Sequence, residues 1–367
     1  MNTPYHRLGD YIREVNIRNS ELKVTNLLGL SVSKEFMPSI ANTIGTDMSA
    51  YKVVNRGQLV YIADTSRRGD KIAIALLDKY ETAIVSQAYT VFEITDKEQL
   101  LPEYLMMWFR RPEFDRYARF HSHGSAREVF DWDELCNVML PVPTLSRQRE
   151  LVAEYETLTR RIRLNEQMIA KLEETAQALY RKMFVDGVDK ERLPEGWRMG
   201  KLGEIAILKA GGDKPSDFSE IKTQIYNIPV YANGIENKGI FGYTTNPVIK
   251  SKSITISARG TIGYCFLRKR PYVPIVRLIV VIPKDETLVQ YIYFQLNNSN
   301  IKGSGSVQSQ LTVPDMEGQK IILPSHKLLE EFNDKVEIID EAIEIREQEI
   351  EKLKELLSLL LTKLGKE

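Results

Sequence analysis

Residues 147–184 read RQRELVAEYETLTRRIRLNEQMIAKLEETAQALYRKMF, and residues 328–365 read LLEEFNDKVEIIDEAIEIREQEIEKLKELLSLLLTKLG. The two stretches stand 181 positions apart and superpose without a gap. Glu166-Gln167 falls on Glu347-Gln348, Ile169 on Ile350, Lys171-Leu172 on Lys352-Leu353 and Glu174 on Glu355. In the first, Leu151, Tyr155, Leu158, Ile162, Asn165, Ile169, Leu172, Ala176, Leu179 and Met183 recur in alternating steps of four and three. In the second, Phe332, Val336, Ile339, Ile343, Arg346, Ile350, Leu353, Leu357, Leu360 and Leu364 do the same. A mean spacing of about 3.5 keeps one apolar seam turned toward a partner helix. Each seam has one polar residue at the same repeat position, Asn165 and Arg346, of the kind that fixes register. Two seams of equal length in one chain can satisfy each other. The expectation is an antiparallel pair, with Leu151, Leu158, Ile162, Ile169 and Leu172 on one helix and Phe332, Ile339, Ile343, Ile350 and Leu353 on the other.

The duplication extends outward from the helices. Gly124-Ser125 falls on Gly305-Ser306 and Pro143 on Pro324 at the same offset. With gaps, Ser66 and Arg68-Gly69 answer to Ser257 and Arg259-Gly260, with Ile84-Val85 on Ile275-Val276, at offset 191, and Leu8-Gly9 answers to Leu202-Gly203 at offset 194. The unit of roughly 190 residues is far longer than a solenoid repeat and holds a globular domain plus a long helix. The chain divides into a globular segment 1–146, a helix 147–186, a linker 187–196, a second globular segment 197–325 and a helix 326–367. Pro143 and Pro324 mark the helix starts. The first helix ends before Gly187 and the linker Asp189-Lys190-Glu191-Arg192-Leu193-Pro194-Glu195-Gly196. The globular segments mix β-rich runs (58–62, 83–86, 253–257 and 276–282) with one short amphipathic helix each, near 102–119 and 286–297. Turn signals at Arg56-Gly57, Asn233-Gly234 and Arg259-Gly260 bound the strands. The fold class expected is α+β: two mixed α/β domains separated by two long antiparallel coiled-coil helices, internally duplicated with pseudo-two-fold symmetry.

Composition excludes several classes. With 43% hydrophobic and 27% charged residues in 367, the chain reads as an ordinary globular protein. No run approaches roughly 18 uninterrupted apolar residues, so no membrane span is expected. The start Met1-Asn2-Thr3-Pro4-Tyr5-His6 lacks a basic region followed by an apolar stretch, which points to a cytoplasmic protein. Cys136 and Cys265 make neither a disulfide framework nor a zinc site and read as buried thiols in a reducing compartment. Net charge is zero but unevenly spread. Residues 197–325 carry 16 Lys and Arg against 9 Asp and Glu, residues 1–146 carry 17 against 19, and residues 326–367 carry 7 against 12. Acidic helices thus mask a basic second domain, and distribution matters more than the sum for nucleic-acid binding.

No catalytic constellation stands out. There is no phosphate loop, no histidine pair with metal spacing, no glycine-rich fingerprint after a strand and no Asn/Asp-Pro-Pro-aromatic tetrapeptide of an amino-group methyltransferase. Pro215-Ser216-Asp217 with Glu220-Ile221-Lys222 only faintly mimics a nuclease cluster, and His121-Ser122-His123 reads as a solvated loop. No metal or cofactor is expected in this chain. The remaining features suit DNA. Arg67, Arg68 and Lys71 beside Gly69, and Arg259 and Thr261 beside Gly260, offer guanidinium and backbone groups to phosphate or guanine. Asn233, Asn237 and Lys238 lie in the loop Tyr231–Gly239, whose amides match adenine edges. Ser125, Arg127, Ser306 and Gln308 precede the last strand of each unit, and Lys214 adds a cation. Each of these also reads as an ordinary surface loop.

In that order and duplicated, the motifs resemble those of the specificity subunits of type I restriction–modification systems. Leu193-Pro194-Glu195-Gly196-Trp197, running into Lys201-Leu202-Gly203-Glu204-Ile205, looks like the opening of a second target-recognition domain. Ile256-Ser257-Ala258-Arg259-Gly260-Thr261-Ile262-Gly263 looks like a signature inside it. The resemblance covers nearly the whole chain. It implies two target-recognition domains, each reading half of a split double-stranded DNA sequence, and two helices that set the unread spacer and dock methyltransferase subunits. It also implies that S-adenosylmethionine, ATP and magnesium belong to partner methyltransferase and restriction/translocase subunits. The chain departs from the pattern at Arg346, unusual in a coiled-coil seam. It departs again after Arg68-Gly69, where the Thr-Ile-Gly of the second unit is missing, so the two domains should read different bases. On the residues alone, a bifunctional DNA-modifying enzyme and a purely structural coiled-coil adaptor remain alternatives. The missing catalytic motifs weigh against the first and the basic balance of 197–325 against the second.

Overall fold

The computed structural model describes residues 4–39, 45–66, 69, 71–124, 127–299, 301 and 310–365. The chain forms two compact units: Met1–Glu166 with Gln348–Glu367, and Gln167–Glu347. The first unit contains β1 (Tyr5–Arg7), β2 (Ile12–Val15), β3 (Leu28–Leu30), β4 (Phe36–Pro38), β5 (Lys52–Asn55), β6 (Leu59–Tyr61), β7 (Ile74–Leu76), β8 (Thr82–Val85), β9 (Thr90–Ile94), α1 (Pro102–Phe109), α2 (Pro112–Phe120), α3 (Trp132–Cys136), β10 (Met139–Pro141) and the start of α4 (Leu145–Phe184). The second contains β11 (Arg198–Lys201), α5 (Leu202–Ile205), β12 (Ala206–Ala210), β13 (Ile228–Tyr231), β14 (Ile240–Thr244), β15 (Ser253–Ile256), β16 (Cys265–Arg268), β17 (Val273–Pro274), β18 (Ile279–Pro283), α6 (Leu288–Asn297), α7 (Val313–Glu317), β19 (Lys320–Leu323) and the start of α8 (His326–Leu364). The boundary between units falls inside both long helices. Each unit therefore takes half of each helix into its own core, instead of standing apart from the helices as the sequence segments do.

The repeat is a repeat of topology. The first unit has an antiparallel sheet in the order β2-β9-β6-β7, and the second has β12-β18-β15-β16. Leu59 lies opposite Phe92 and Leu76, and Ile254 lies opposite Val281 and Leu267. In the first unit β1 pairs with β10, and in the second β11 pairs with β19. Strand interiors are buried on both faces. Leu59 and Tyr61 enter a core with Phe92, Tyr104 and Phe109, while Val60 joins Val54, Ala75 and Val91 on the other side. In β15, Ile254 and Ile256 enter the helix-side core, whereas Thr255 accepts from Arg268 Nε at 2.9 Å. The second layer is thus apolar in one unit and partly polar in the other.

Local chemistry sets the helix ends. The expected helix near 102–119 is two helices, because Pro112 has no N–H to continue a helix and disfavours helical backbone at Arg111. Asp131 caps α3 by accepting from Glu134 N–H at 2.9 Å. Thr312 and Asp315 form a capping box on α7.

Within each unit the seams meet their partners. In the first, Leu151 shares a core with Leu360 and Leu364, and Arg161 pairs with Glu349. In the second, Phe184 meets Phe332 edge-on at 5.0 Å, and Ala176 and Tyr180 share a core with Val336. The start of α4 against the end of α8, and the reverse, is the antiparallel arrangement. Every position of both seams is buried or half-buried, Asn165 and Arg346 included. The seams omit Tyr180, Phe184 and Leu329, which are buried because the helix ends press against sheet and α6 as well as each other.

Candidate nucleic-acid interface

In the second unit, five backbone segments are tied together at one end of the sheet. Asn233 ties two of them to its own loop. Its Oδ1 accepts from Ala258 N–H at 2.7 Å and its Nδ2 donates to the Val276 carbonyl at 2.7 Å. Gly234 N–H donates to Ser257 Oγ at 3.3 Å. Val276 N–H donates to Gly212 O at 2.9 Å, Arg277 N–H to Gly211 O at 3.2 Å, and Leu311 N–H to Ala258 O at 3.0 Å. Gly211 permits the close approach: a Cβ there would lie 2.8 Å from the backbone of Pro274 and Ile275. On this rim Arg259, Thr261, Val276 and Arg277 are exposed. Among the described residues neither Arg259 nor Arg277 pairs with a carboxylate. Asp213 and Glu236 lie on the same rim, so the cations there are local and not part of a uniform basic field.

The strand expected to begin at Val276 begins at Ile279 instead. Val276 and Arg277 have φ of 52° and 61° and form a tight turn closed by Leu278 N–H on Ile275 O at 3.1 Å. Left-handed backbone at a β-branched residue costs on the order of 1–3 kcal/mol and persists only where the surroundings impose it. Here Asn233 and the Gly211-Gly212 backbone impose it.

The structure separates the other expected contacts. Asn233 spends one hydrogen bond at each end of its amide on the protein's own backbone, so it holds the loops together whatever its remaining N–H and lone pair meet. Lys238 pairs with Glu347 of α8 at 2.8 Å, and its carbonyl accepts from Arg268 Nη2 at 2.7 Å. Arg268 itself is buried against the Tyr231 ring at 3.5 Å, and burial lowers its pKa. Asn237 is exposed beside Lys238, with φ of 48°. Lys214 lies over the Phe218 ring at 3.6 Å. Asp217, in the faint nuclease-like cluster, accepts from Thr244 and Thr245. Hydrogen bonds from Thr245 and then Thr244 hold its carboxyl down at about 2. It is a loop clamp. Gln308 and Ser306 lie outside the described residues.

In the first unit, Arg67, Arg68 and Ser125 also lie outside the described residues. Lys71 and Arg127 are exposed. Thr65 N–H donates to Glu128 O at 3.0 Å and its hydroxyl to Ser122 at 2.9 Å, joining the two loops that carry these residues. The expected solvated histidines both face one carboxylate: His121 Nδ1 is 3.2 Å and His123 Nε2 3.5 Å from Glu134. Among the described residues no cluster of three or more potential ligands could hold a metal.

The pairing of Arg68 with Arg259 depends on the direction of counting. Phe130 N–H donates to Ala63 O at 2.9 Å as Leu311 N–H donates to Ala258 O at 3.0 Å, so Ala63 matches Ala258 and Asp64 falls on Arg259. Counted back from β7 and β16, Arg68 falls there instead. The loop between these strands runs over 62–73 in one unit and 257–264 in the other, four residues shorter. The sequence alignment hid this insertion because its gap can slide within the loop.

Comparison with known proteins fits this architecture. Residues 194–355 match the family described as type I restriction modification DNA specificity domain. A putative type I specificity subunit of Mycoplasma pneumoniae is 36% identical over 163 residues, 41% of this chain and 49% of that protein. The C-terminal piece of another from the same organism is 35% identical over 114 residues, 28% of this chain and 79% of its length. The HindI specificity subunit of Haemophilus influenzae is 21% identical across 98% of both chains. The crystal structure of a type I restriction-modification S subunit from M. genitalium shares the fold, with a TM-score of 0.62 and 15% identity over 100% of this chain and 97% of that one. The chain belongs to the type I restriction–modification DNA specificity family. The stretch matched in the 36%-identical relative spans about half of that protein.

Proposed function

We propose that this chain reads DNA sequence for a type I restriction–modification complex, each unit reading one half of a bipartite double-stranded target. The observation that carries the reading is the duplicated sheet whose loop-bearing end differs in exposed chemistry between units. A shared scaffold with divergent tips suits two different half-sites, because phosphate contacts position a reader while base contacts specify its sequence. The basic balance of residues 197–325 and the exposed Arg259 and Arg277 support the second half of it.

The long helices serve in this reading to set the spacer and dock methyltransferase subunits. Away from its seam α8 exposes Ile338 (70%) and Ile345 (59%) in the second unit and Leu356 (51%) and Leu359 (55%) in the first. Apolar side chains recurring on an outer helix face are the chemistry of a protein contact. The chain itself catalyses nothing: S-adenosylmethionine, ATP and magnesium act in the methyltransferase and restriction/translocase partners. Asp217, the nearest approach to a nuclease carboxylate, is engaged by two threonines. Among the described residues no helix is long and apolar enough to cross a membrane. The site of action in this reading is the cytoplasm, where the DNA is.

The test is to co-express the chain with its methyltransferase subunit and map methylated bases. One bipartite motif, altered by substitutions in this chain, is the expected result. Methylation with no sequence preference would overturn the reading. Methyl transfer by the chain alone would overturn its non-catalytic part.

A further inference from the structure

The turn at 275–278 has its counterpart at 86–89, so Ile275 answers to Ser86 and not to Ile84 as the offset of 191 has it. The turn at 275–278 leads into β18, and the turn at 86–89 leads into β9, the strand at the same place in the other sheet. Both close by the same bond: Leu278 N–H to Ile275 O at 3.1 Å, and Tyr89 N–H to Ser86 O at 3.0 Å. In each the two central residues are exposed, Val276-Arg277 in one and Gln87-Ala88 in the other. The backbone differs too. Val276 and Arg277 adopt positive φ, which Gln87 and Ala88 do not.

We infer that these paired turns are the base-reading tips of their units, Arg277 taking a guanine edge and Gln87 an adenine edge. The inference rests on the reading of the chain as a DNA-sequence reader. A bidentate guanidinium matches guanine O6 and N7, and a carboxamide matches adenine N6 and N7. Arg277 suits such a role on three grounds. It has no side-chain partner among the described residues, its backbone is held in a strained turn, and that strain is imposed by Asn233, which shares the rim with the exposed Arg259. Left-handed backbone at a valine followed by an arginine has no packing reward, since Val276 is 49% exposed. Strain without packing reward belongs to a site where presentation matters. Asn233 is then a positioning residue.

The experiment uses the full chain with its methyltransferase subunit and a randomised DNA duplex library. Bound molecules are sequenced for wild type, R277A, R277K and Q87A. R277A and R277K should each accept other bases at one position where the wild type selects guanine, with discrimination falling about 5- to 150-fold. The other half of the motif should stay intact. Q87A should relax one adenine position in that other half. Lysine keeps the charge, so R277K separates a guanine contact from a phosphate contact. If R277A does not fold, R277K carries the same test. An unchanged motif in R277A or Q87A overturns the inference. So does an R277A effect that weakens every sequence alike and lowers the salt slope by about one. A wild-type chain that selects no motif sinks the functional reading itself.

Discussion

Tyr104 and Tyr291 occupy the same place in the two units and make the same bond. The Tyr104 hydroxyl donates to Pro141 O at 3.0 Å, and the Tyr291 hydroxyl donates to Ile322 O at 2.6 Å. Each ties the first helix after the sheet, α1 or α6, to the strand that leads into α4 or α8. Both tyrosine side chains are almost wholly buried, and at Ile322 the Gln295 amide is also placed to donate to the carbonyl at 3.3 Å, so the loss should be larger at Tyr104. Removing one hydroxyl leaves a buried carbonyl short of a partner, at about 1–3 kcal/mol. Tyr104→Phe and Tyr291→Phe should each lower the denaturant midpoint by an amount in that range. An unshifted midpoint in both would show that the bonds contribute nothing net.

The helix seam gives a larger effect. Leu353 is 4% and Phe332 0% exposed, one in the first unit and one in the second. Leu353→Ala should cost about 2–5 kcal/mol and Phe332→Ala about 3–5 kcal/mol, since a buried cavity adds to lost transfer energy. Ile162→Asp and Ile343→Asp place a charge in a half-buried seam and should also lower the thermal midpoint, each by less than a fully buried aspartate would. Calorimetry on the four variants checks the order. Unchanged midpoints in Leu353→Ala and Phe332→Ala would remove the seam from the energetics.

Much of this architecture was legible in residues. The heptad spacing of 151–183 and 332–364 is a strong periodic signal because a long helix must keep one stripe turned inward. The duplicated order of motifs gave the repeat. What stayed hidden was set by tertiary contacts. Pro112 broke a helix that periodicity ran through. Val276 read as strand because valine favours strands, yet hydrogen bonds from Asn233 and to Gly212 fold it into a left-handed turn. Asn233 looked like a free amide, and no local pattern reveals that Ala258 and Val276 take both of its ends. Gln87 and Arg277 carry no motif. Only the equivalence of β9 and β18 brings them into one comparison.

Alkaline titration separates buried from open tyrosines. Burial pushes Tyr272 and Tyr293 up to about 12. Their folded pKa lies above the ordinary value of 10, so the neutral phenol is the form that folding favours. Their contribution is complete below pH 10 and is lost as pH rises through about 12. Asp217 has the opposite sign. Its carboxyl is held at about 2, below the ordinary 3.8, so its contribution is present above pH 3.8 and lost as pH falls toward 2. Phenolate absorbance should thus show late-titrating tyrosines released together with unfolding. Asp217→Asn should flatten the acid limb and speed amide exchange at Thr245. Titration of all tyrosines near pH 10 in the folded protein would contradict the burial described.

Arg259 tests the rim without assuming a base contact. It is exposed on the 257–264 loop, one residue after Ala258, whose N–H is held by Asn233. Gly260, with φ of 69°, lets the backbone turn so that the guanidinium stands clear of the sheet. A phosphate contact is the expected role, because the residue follows a backbone hub shared by several loops and such anchors fix register for any sequence. Arg259→Ala should then weaken DNA binding about equally across sequences and reduce the slope of log affinity against log salt by about one. Loss at a single base position would instead assign Arg259 to readout, at about 1–3 kcal/mol. The measurement is a salt titration of the assembled complex on matched and mismatched duplexes. Full wild-type affinity on both at moderate salt would make Arg259 an ordinary surface residue and move the interface off this rim.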